Sequence, residues 1–455
     1  MSVFAQPFRI AVVSIAAVLA SFGIVFAMCR MLGIDASPAI LAATLAMSLS
    51  RRAEIPTPRK LAAEFIMLPL IALTAGLVGM ALLNLPPVGA MLFTTGIVVS
   101  ILLRKYGSIP RTIGRVIATP LIAILVVPVH IEGSAGKWLP AALMIAAGLT
   151  AMLCSAVAAW LAGRVGWTEI DTGPPTPAPI ASIPASRSLH ITERMALQML
   201  VALGLAFAIG MIGYPAHWAW VVLTAFIVCS GTVSRGDAIY KGLMRLGGAV
   251  CGAALAAAMA HVAIHDPVWN AAVIFVALFA GIWLRPINYA WWAMCATLIF
   301  ALLQGPRDDA VLPLLGMRVV CILIGALCGV VAAWLVYPIR TEQLVRKRVA
   351  EALHVLRDAL ASGQVPDLSV LDHHESELEH IAAPIRLHRW LVGSANAQTH
   401  PAAWRDRMQH LIVRARTGGF DRAGMGAQMR ELGAMLKARA NVSANRDRTP
   451  SNPFD

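Results

Sequence analysis

Residues 311–337 read VLPLLGMRVVCILIGALCGVVAAWLVY and contain one charged side chain, Arg318. About 20 apolar residues cross the hydrocarbon core of a bilayer, and a helix satisfies its own backbone hydrogen bonds there. This run is therefore long enough to span. Working outward from it, apolar runs recur near 10–29, 37–50, 61–83, 88–103, 113–131, 139–162, 195–213, 216–233, 243–264, 267–284 and 288–304. The pattern predicts an all-α polytopic membrane protein of about twelve transmembrane helices. Composition agrees, because 58% of the 455 residues are hydrophobic and 13% are charged, against roughly 25% charged in soluble domains.

The end of the opening run has an echo. Cys328-Gly329-Val330-Val331-Ala332-Ala333-Trp334-Leu335 matches Cys154-Ser155-Ala156-Val157-Ala158-Ala159-Trp160-Leu161 at six of eight positions. Leu312-Pro313 likewise answers Leu139-Pro140, and Leu284-Arg285 answers Leu103-Arg104, in the same order. Two six-helix repeats follow from this. With an even number of spans each, they enter the membrane from the same side and are parallel, related by a two-fold along the membrane normal.

Charge gives the orientation. The net charge of +13 sits mostly between apolar runs, as topology determinants do, and implies no nucleic-acid partner. A cytoplasmic N-terminus puts Arg51, Arg52, Arg59, Lys60, Arg104, Lys105, Arg111 and Arg115 on the cytoplasmic side, with Arg30, Lys137 and Arg307 opposite. Both termini are then cytoplasmic. Phe26-Ala27-Met28 lacks the small residue that signal cleavage needs just before the cut at Cys29, so 10–29 reads as a span. The expected organisation is a first membrane repeat over 1–166, a Pro-rich cytoplasmic linker over 167–193 and a second membrane repeat over 194–338. A cytoplasmic helical domain over 339–440 and a disordered tail over 441–455 complete it.

No H-E-x-x-H, G-x-S-x-G, Walker or dinucleotide motif occurs, so the chain reads as a non-enzyme without cofactor. The seven cysteines form no C-x-x-C pair and have no His at ligand spacing, so neither a metal nor a disulfide framework is expected. What remains is a set of polar groups in or beside apolar runs, which are costly in lipid and mark functional paths.

One stretch gathers several of them. It runs from Tyr214-Pro215-Ala216-His217-Trp218-Ala219-Trp220 to Thr224, through Gly231-Thr232 and Arg235, to Arg245-Leu246-Gly247-Gly248-Ala249-Val250-Cys251-Gly252. Together with Arg318, Gly325, Gly329 and Pro338, it resembles the fusaric acid resistance (FUSC-like) and aromatic acid exporter family. The resemblance is best over Tyr214–Pro338. It implies a bacterial inner-membrane efflux protein for aromatic or other organic acids, working with a periplasmic membrane-fusion adaptor. Gly248 and Gly252, and likewise Gly325 and Gly329, have the four-residue spacing that lets helices approach closely. A second copy of the chain is a further candidate partner, beside the organic anion and the lipid bilayer.

The residues also speak for themselves. An organic anion in low-dielectric protein needs a fixed positive partner, which a planar guanidinium supplies best. Arg245 and Arg318 are candidate substrate-binding residues on this ground, with Trp220 and Trp292 packing an aromatic ring. The plainer alternatives are a snorkelling Arg245, an Arg318 paired with Asp308 or Asp309, and tryptophans anchoring at the bilayer boundary. Glu64 and His217 are the candidates for proton coupling, Glu64 lying almost opposite Arg245 in the repeat register. Its alternative is an interfacial acid balancing Arg59 and Lys60. The expected function is proton-coupled export of small organic, chiefly aromatic, acids. Its competitors are a passive anion channel and export of a cell-envelope or pigment precursor.

Overall fold

The computed structural model describes residues 2–33, 36–50, 77–106, 110, 113–114, 117–118, 121–122, 125, 139–167, 191–232, 234–260, 267–303, 311–336, 341–362, 374–376, 378–379, 382, 385–386, 401–416 and 422–446. All regular structure among them is helical. The chain divides into a membrane unit of residues 1–231 and 241–337, and a second unit of residues 232–240 and 338–455.

The membrane unit begins with α1 (Ser2–Met31), α2 (Ser37–Leu49), α3 (Pro86–Leu102) and α4 (Leu139–Arg164). It continues with α5 (Ile191–Gly213), α6 (Trp218–Cys229), α7 (Arg235–Ala260, part of this unit from Lys241 on), α8 (Pro267–Leu284), α9 (Tyr289–Leu303) and α10 (Val311–Leu335). Among the described residues, six helices are long and apolar enough to cross a membrane, and four are shorter apolar helices of 10–17 residues, the four lying within α2, α6, α8 and α9. The ten helices answer ten of the twelve expected runs, six of them at full spanning length. The expected spans at 61–83 and 113–131 fall largely outside the described residues, as does Glu64. A helix of 16 residues covers only about 24 Å at 1.5 Å per residue, less than the roughly 30 Å hydrocarbon core.

Local chemistry sets several boundaries. α2 and α3 each open with proline at the first helical positions, where no N–H is needed. α6 ends at Ser230, whose extended backbone leads into Gly231 at φ +74°, a left-handed turn open to a residue without Cβ. Lys241 Nζ donates to the Ser230 carbonyl freed there.

Packing within the unit is ordered. α1, α2 and α4 contact one another, and so do α5, α6 and α10. Between these triads two helices cross over: α8 packs on α1 and α3 packs on α5. Edge-to-face rings mark both crossings, Phe8 on Phe279 and Phe22 on Phe275 in one, Phe93 on Phe207 in the other. Exposed Leu, Ile, Val and Trp cover the outside of the helices, including Ile212, Leu335 and Trp269, as suits a lipid-facing surface.

The second unit contains α11 (Thr341–Ser362), α12 (Pro401–Arg416) and α13 (Arg422–Arg446). Val345, Val349 and Leu356 of α11 meet Trp404, Met408 and Ile412 of α12 and Met425, Met429 and Leu432 of α13 in a closed apolar core. Charged residues hold the rim, with Lys347 and Arg348 both reaching Glu351 within one helix.

Candidate functional site

Four helix faces converge in the later part of the membrane unit. On α10, Arg318, Ile322, Gly325 and Gly329 follow the helical repeat along one side. A Cβ at Gly325 would run into the Val221 carbonyl oxygen, and one at Gly329 would come 2.8 Å from Val228 Cγ1. Neither glycine can be enlarged without moving α6. Val221 and Thr224 lie at Gly325 while Ala225 and Val228 lie at Gly329, so α6 and α10 run in the same direction. Cys229 Sγ donates to the Gly329 carbonyl at 3.5 Å. This seam brings Trp220, one turn before Thr224, toward Arg318.

A second seam repeats the device. Arg245, Gly248 and Gly252 share one face of α7. Gly248 lies against the Ala290 carbonyl and Ala293, and Gly252 against the Met294 carbonyl and Thr297. The face of α9 that receives them continues from Ala293 and Thr297 to Phe300. Thr297 returns its own hydroxyl to the Ala293 carbonyl at 2.9 Å, so this contact leaves no orphan donor there.

Arg318 sits where the faces of α6, α9 and α10 meet, and Arg245 lies one turn before Gly248 on α7. Arg245 and Arg318 are each 3% exposed. The guanidinium carbon of Arg318 lies 4.8 Å from the Trp220 ring centroid and 4.6 Å from that of Phe300. Arg245 is near enough for its charge to act on Arg318. Arg318 Nε and Nη1 and Arg245 Nε are buried without a hydrogen-bond partner among the described residues. Thr224 Oγ1 is in the same condition.

This arrangement is costly unless something answers it. A charge at the centre of a membrane helix costs about 2.5–3.5 kcal/mol on insertion scales, and two like charges in low dielectric add to that. Ring faces offset part of the cost, about 2 kcal/mol or more for a desolvated cation–π contact. They cannot accept the remaining N–H donors in the guanidinium plane. An oxyanion can, with shorter and stronger bonds than a neutral acceptor makes.

The other predicted residues divide. The His217 ring lies 4.6 Å from the Trp220 ring, extending the cluster to the start of α6. Trp220 thus touches both Arg318 and His217. Trp292 packs elsewhere: a Cβ at Gly281 would come 3.1 Å from its Cε3, and Arg285 lies 5.7 Å from its ring. Asp308 and Asp309, the alternative partners of Arg318, lie outside the described residues. Phe300 was not singled out by sequence, and Thr224 was named there only as part of the motif stretch. The only signal for Phe300 was its place seven residues after Ala293 on the glycine-packing face.

Residues 200–332, which take in all four converging faces, match the family model described as fusaric acid resistance protein-like. This module is FUSC-like. Its arginine and glycine positions are those on which the sequence resemblance rested, and the match covers this module, in a chain whose helices are long and apolar enough to cross a membrane. No curated protein and no solved structure matches the chain.

Proposed function

We propose that this FUSC-like protein exports small organic acids, chiefly aromatic carboxylic acids, across a bacterial inner membrane. The observation that carries the proposal is the buried pair Arg245 and Arg318, whose in-plane donors have no described partner. A carboxylate entering between α6, α7, α9 and α10 would accept from Arg318 and feel the charge of Arg245. The lysines and arginines between apolar runs support cytoplasmic termini. Two parallel repeats are supported by the matching triads, with α8 and α3 exchanged between them. Alternating access would then move the halves about the site.

Proton coupling is assigned to Glu64, with His217 relaying at the far end of the cluster. Inverted vesicles holding the full chain test both parts. Labelled benzoate and fusaric acid should accumulate only when a pH gradient is imposed. Glu64→Gln should abolish that dependence, and uptake by this variant with an unaltered pH profile removes Glu64 from the mechanism. Ohmic flux without any gradient would instead make the protein an anion channel built on the same arginines.

A further inference from the structure

We propose that Phe300 is a positioning residue of the anion site. With Trp220 it grips the Arg318 guanidinium over its faces and so leaves only the guanidinium edge for a planar two-oxygen anion. The inference rests on the proposed reading of the chain as an anion carrier, and it adds a residue and a docking geometry to that reading.

Two rings from two different helices lie within 5 Å of one guanidinium carbon, Trp220 from α6 at 4.8 Å and Phe300 from α9 at 4.6 Å. An arginine side chain has several soft torsions and would otherwise sample many orientations. Rings against the guanidinium fix its plane, because π faces attract the cation over its flat side. The atoms left without partners are then in-plane donors, Nε and Nη1. They lie on different edges, Nε beside Nη2 and Nη1 on the other side of Nη2, and each edge, completed by Nη2, matches the two oxygens of a carboxylate in a fork-to-fork pairing that a rotating guanidinium would present only part of the time. The position of Phe300 is itself fixed from a distance. The glycine seam of α7 holds α9 in place through Ala293, Met294 and Thr297, and Phe300 is the next residue along that face.

The same geometry separates two roles for aromatic residues. With Trp220 and Phe300 against Arg318, an aromatic acid cannot stack on this guanidinium and must dock its carboxylate edge-on. Its ring then lies beyond the clamp.

Phe300→Leu and Phe300→Met keep an apolar side chain of similar volume and remove the ring, whereas Phe300→Tyr retains it. In proteoliposomes with labelled benzoate and fusaric acid, the Leu and Met variants should raise KM about tenfold with kcat nearly unchanged, and Tyr should restore KM. A ligand-free measurement accompanies this. In 15N-arginine-labelled protein, the Arg318 Nε–H resonance, identified by its loss in Arg318→Gln, should carry an upfield ring-current shift that shrinks in Phe300→Leu. An unchanged KM in both Leu and Met variants, or an unchanged resonance, overturns the inference while transport stands. Wild-type protein that shows the ring-current shift yet carries none of these acids overturns the anion reading, and the role of Phe300 toward an anion with it.

Discussion

The last helices of the two halves, α4 and α10, share the Cys-x-x-Val-Ala-Ala-Trp-Leu ending and the same kind of neighbour, yet α10 carries an arginine inside its span where α4 has none. Aligned on that ending, Ala151 and Ser155 of α4 stand where α10 has Gly325 and Gly329, and Met144 stands where α10 has Arg318. α4 meets α2 through Ala151 beside Ala46, and through the Ser155 hydroxyl, which donates to the Ala46 carbonyl at 3.4 Å and to its own Ala151 carbonyl at 2.7 Å. α10 meets α6 through glycines that admit no atom more. One scaffold thus tolerates two seams. The closer seam belongs to the half that must hold a charge between rings, where a fraction of an ångström decides whether the guanidinium is gripped.

The largest expected effect comes from removing the charge that only α10 has. Arg318→Gln should lower kcat/KM for labelled benzoate by about 100-fold, the loss of one or two charge-assisted hydrogen bonds at about 1.5–3 kcal/mol each. Met144→Gln in the aligned position should leave transport within about threefold. Equal losses would mean that the site is shared by both halves.

The glycine seam comes next. Gly325→Ala drives a methyl group into the Val221 carbonyl and should cost about 1–3 kcal/mol, seen as a lower midpoint of thermal unfolding in detergent. Ala151→Gly, the reverse exchange in the other half, should cost no more than about 1 kcal/mol, mostly backbone entropy. If Gly325→Ala proves neutral, the two seams are equally loose and the contrast fails.

The smallest effect is expected at Ser155. Ser155→Ala removes its hydroxyl bonds to the Ala46 and Ala151 carbonyls and should lower stability by about 0.6 kcal/mol, typical of interhelical hydrogen bonds in membranes. Transport should not change.

The amino-acid order revealed the apolar helices because lipid requires long runs without charge, and 311–337 and 191–213 obey that rule plainly. It also marked Arg245 and Arg318, since a charge inside such a run stands out against its neighbours. What it could not show was which apolar residue faces which. Phe300 is one ring in a run of apolar side chains, and nothing in its own helix says that it will meet an arginine from α10. Trp220 and Trp292 looked equivalent for the same reason, and packing sends one to Arg318 and the other to Gly281. Periodicity fixes the face a residue occupies, while the partner across that face is set by tertiary packing.

The crossing of α8 onto α1 and of α3 onto α5 bears on how the chain is made. During synthesis α1 leaves the ribosome with Phe8 and Phe22 lacking their mates, and these arrive only with Phe275 and Phe279, more than half the chain later. Neither half can complete its interior alone. The nascent protein must wait in the bilayer partly assembled, and a polypeptide cut at the proline-rich connection would regain its shape only if both pieces were produced together and found each other.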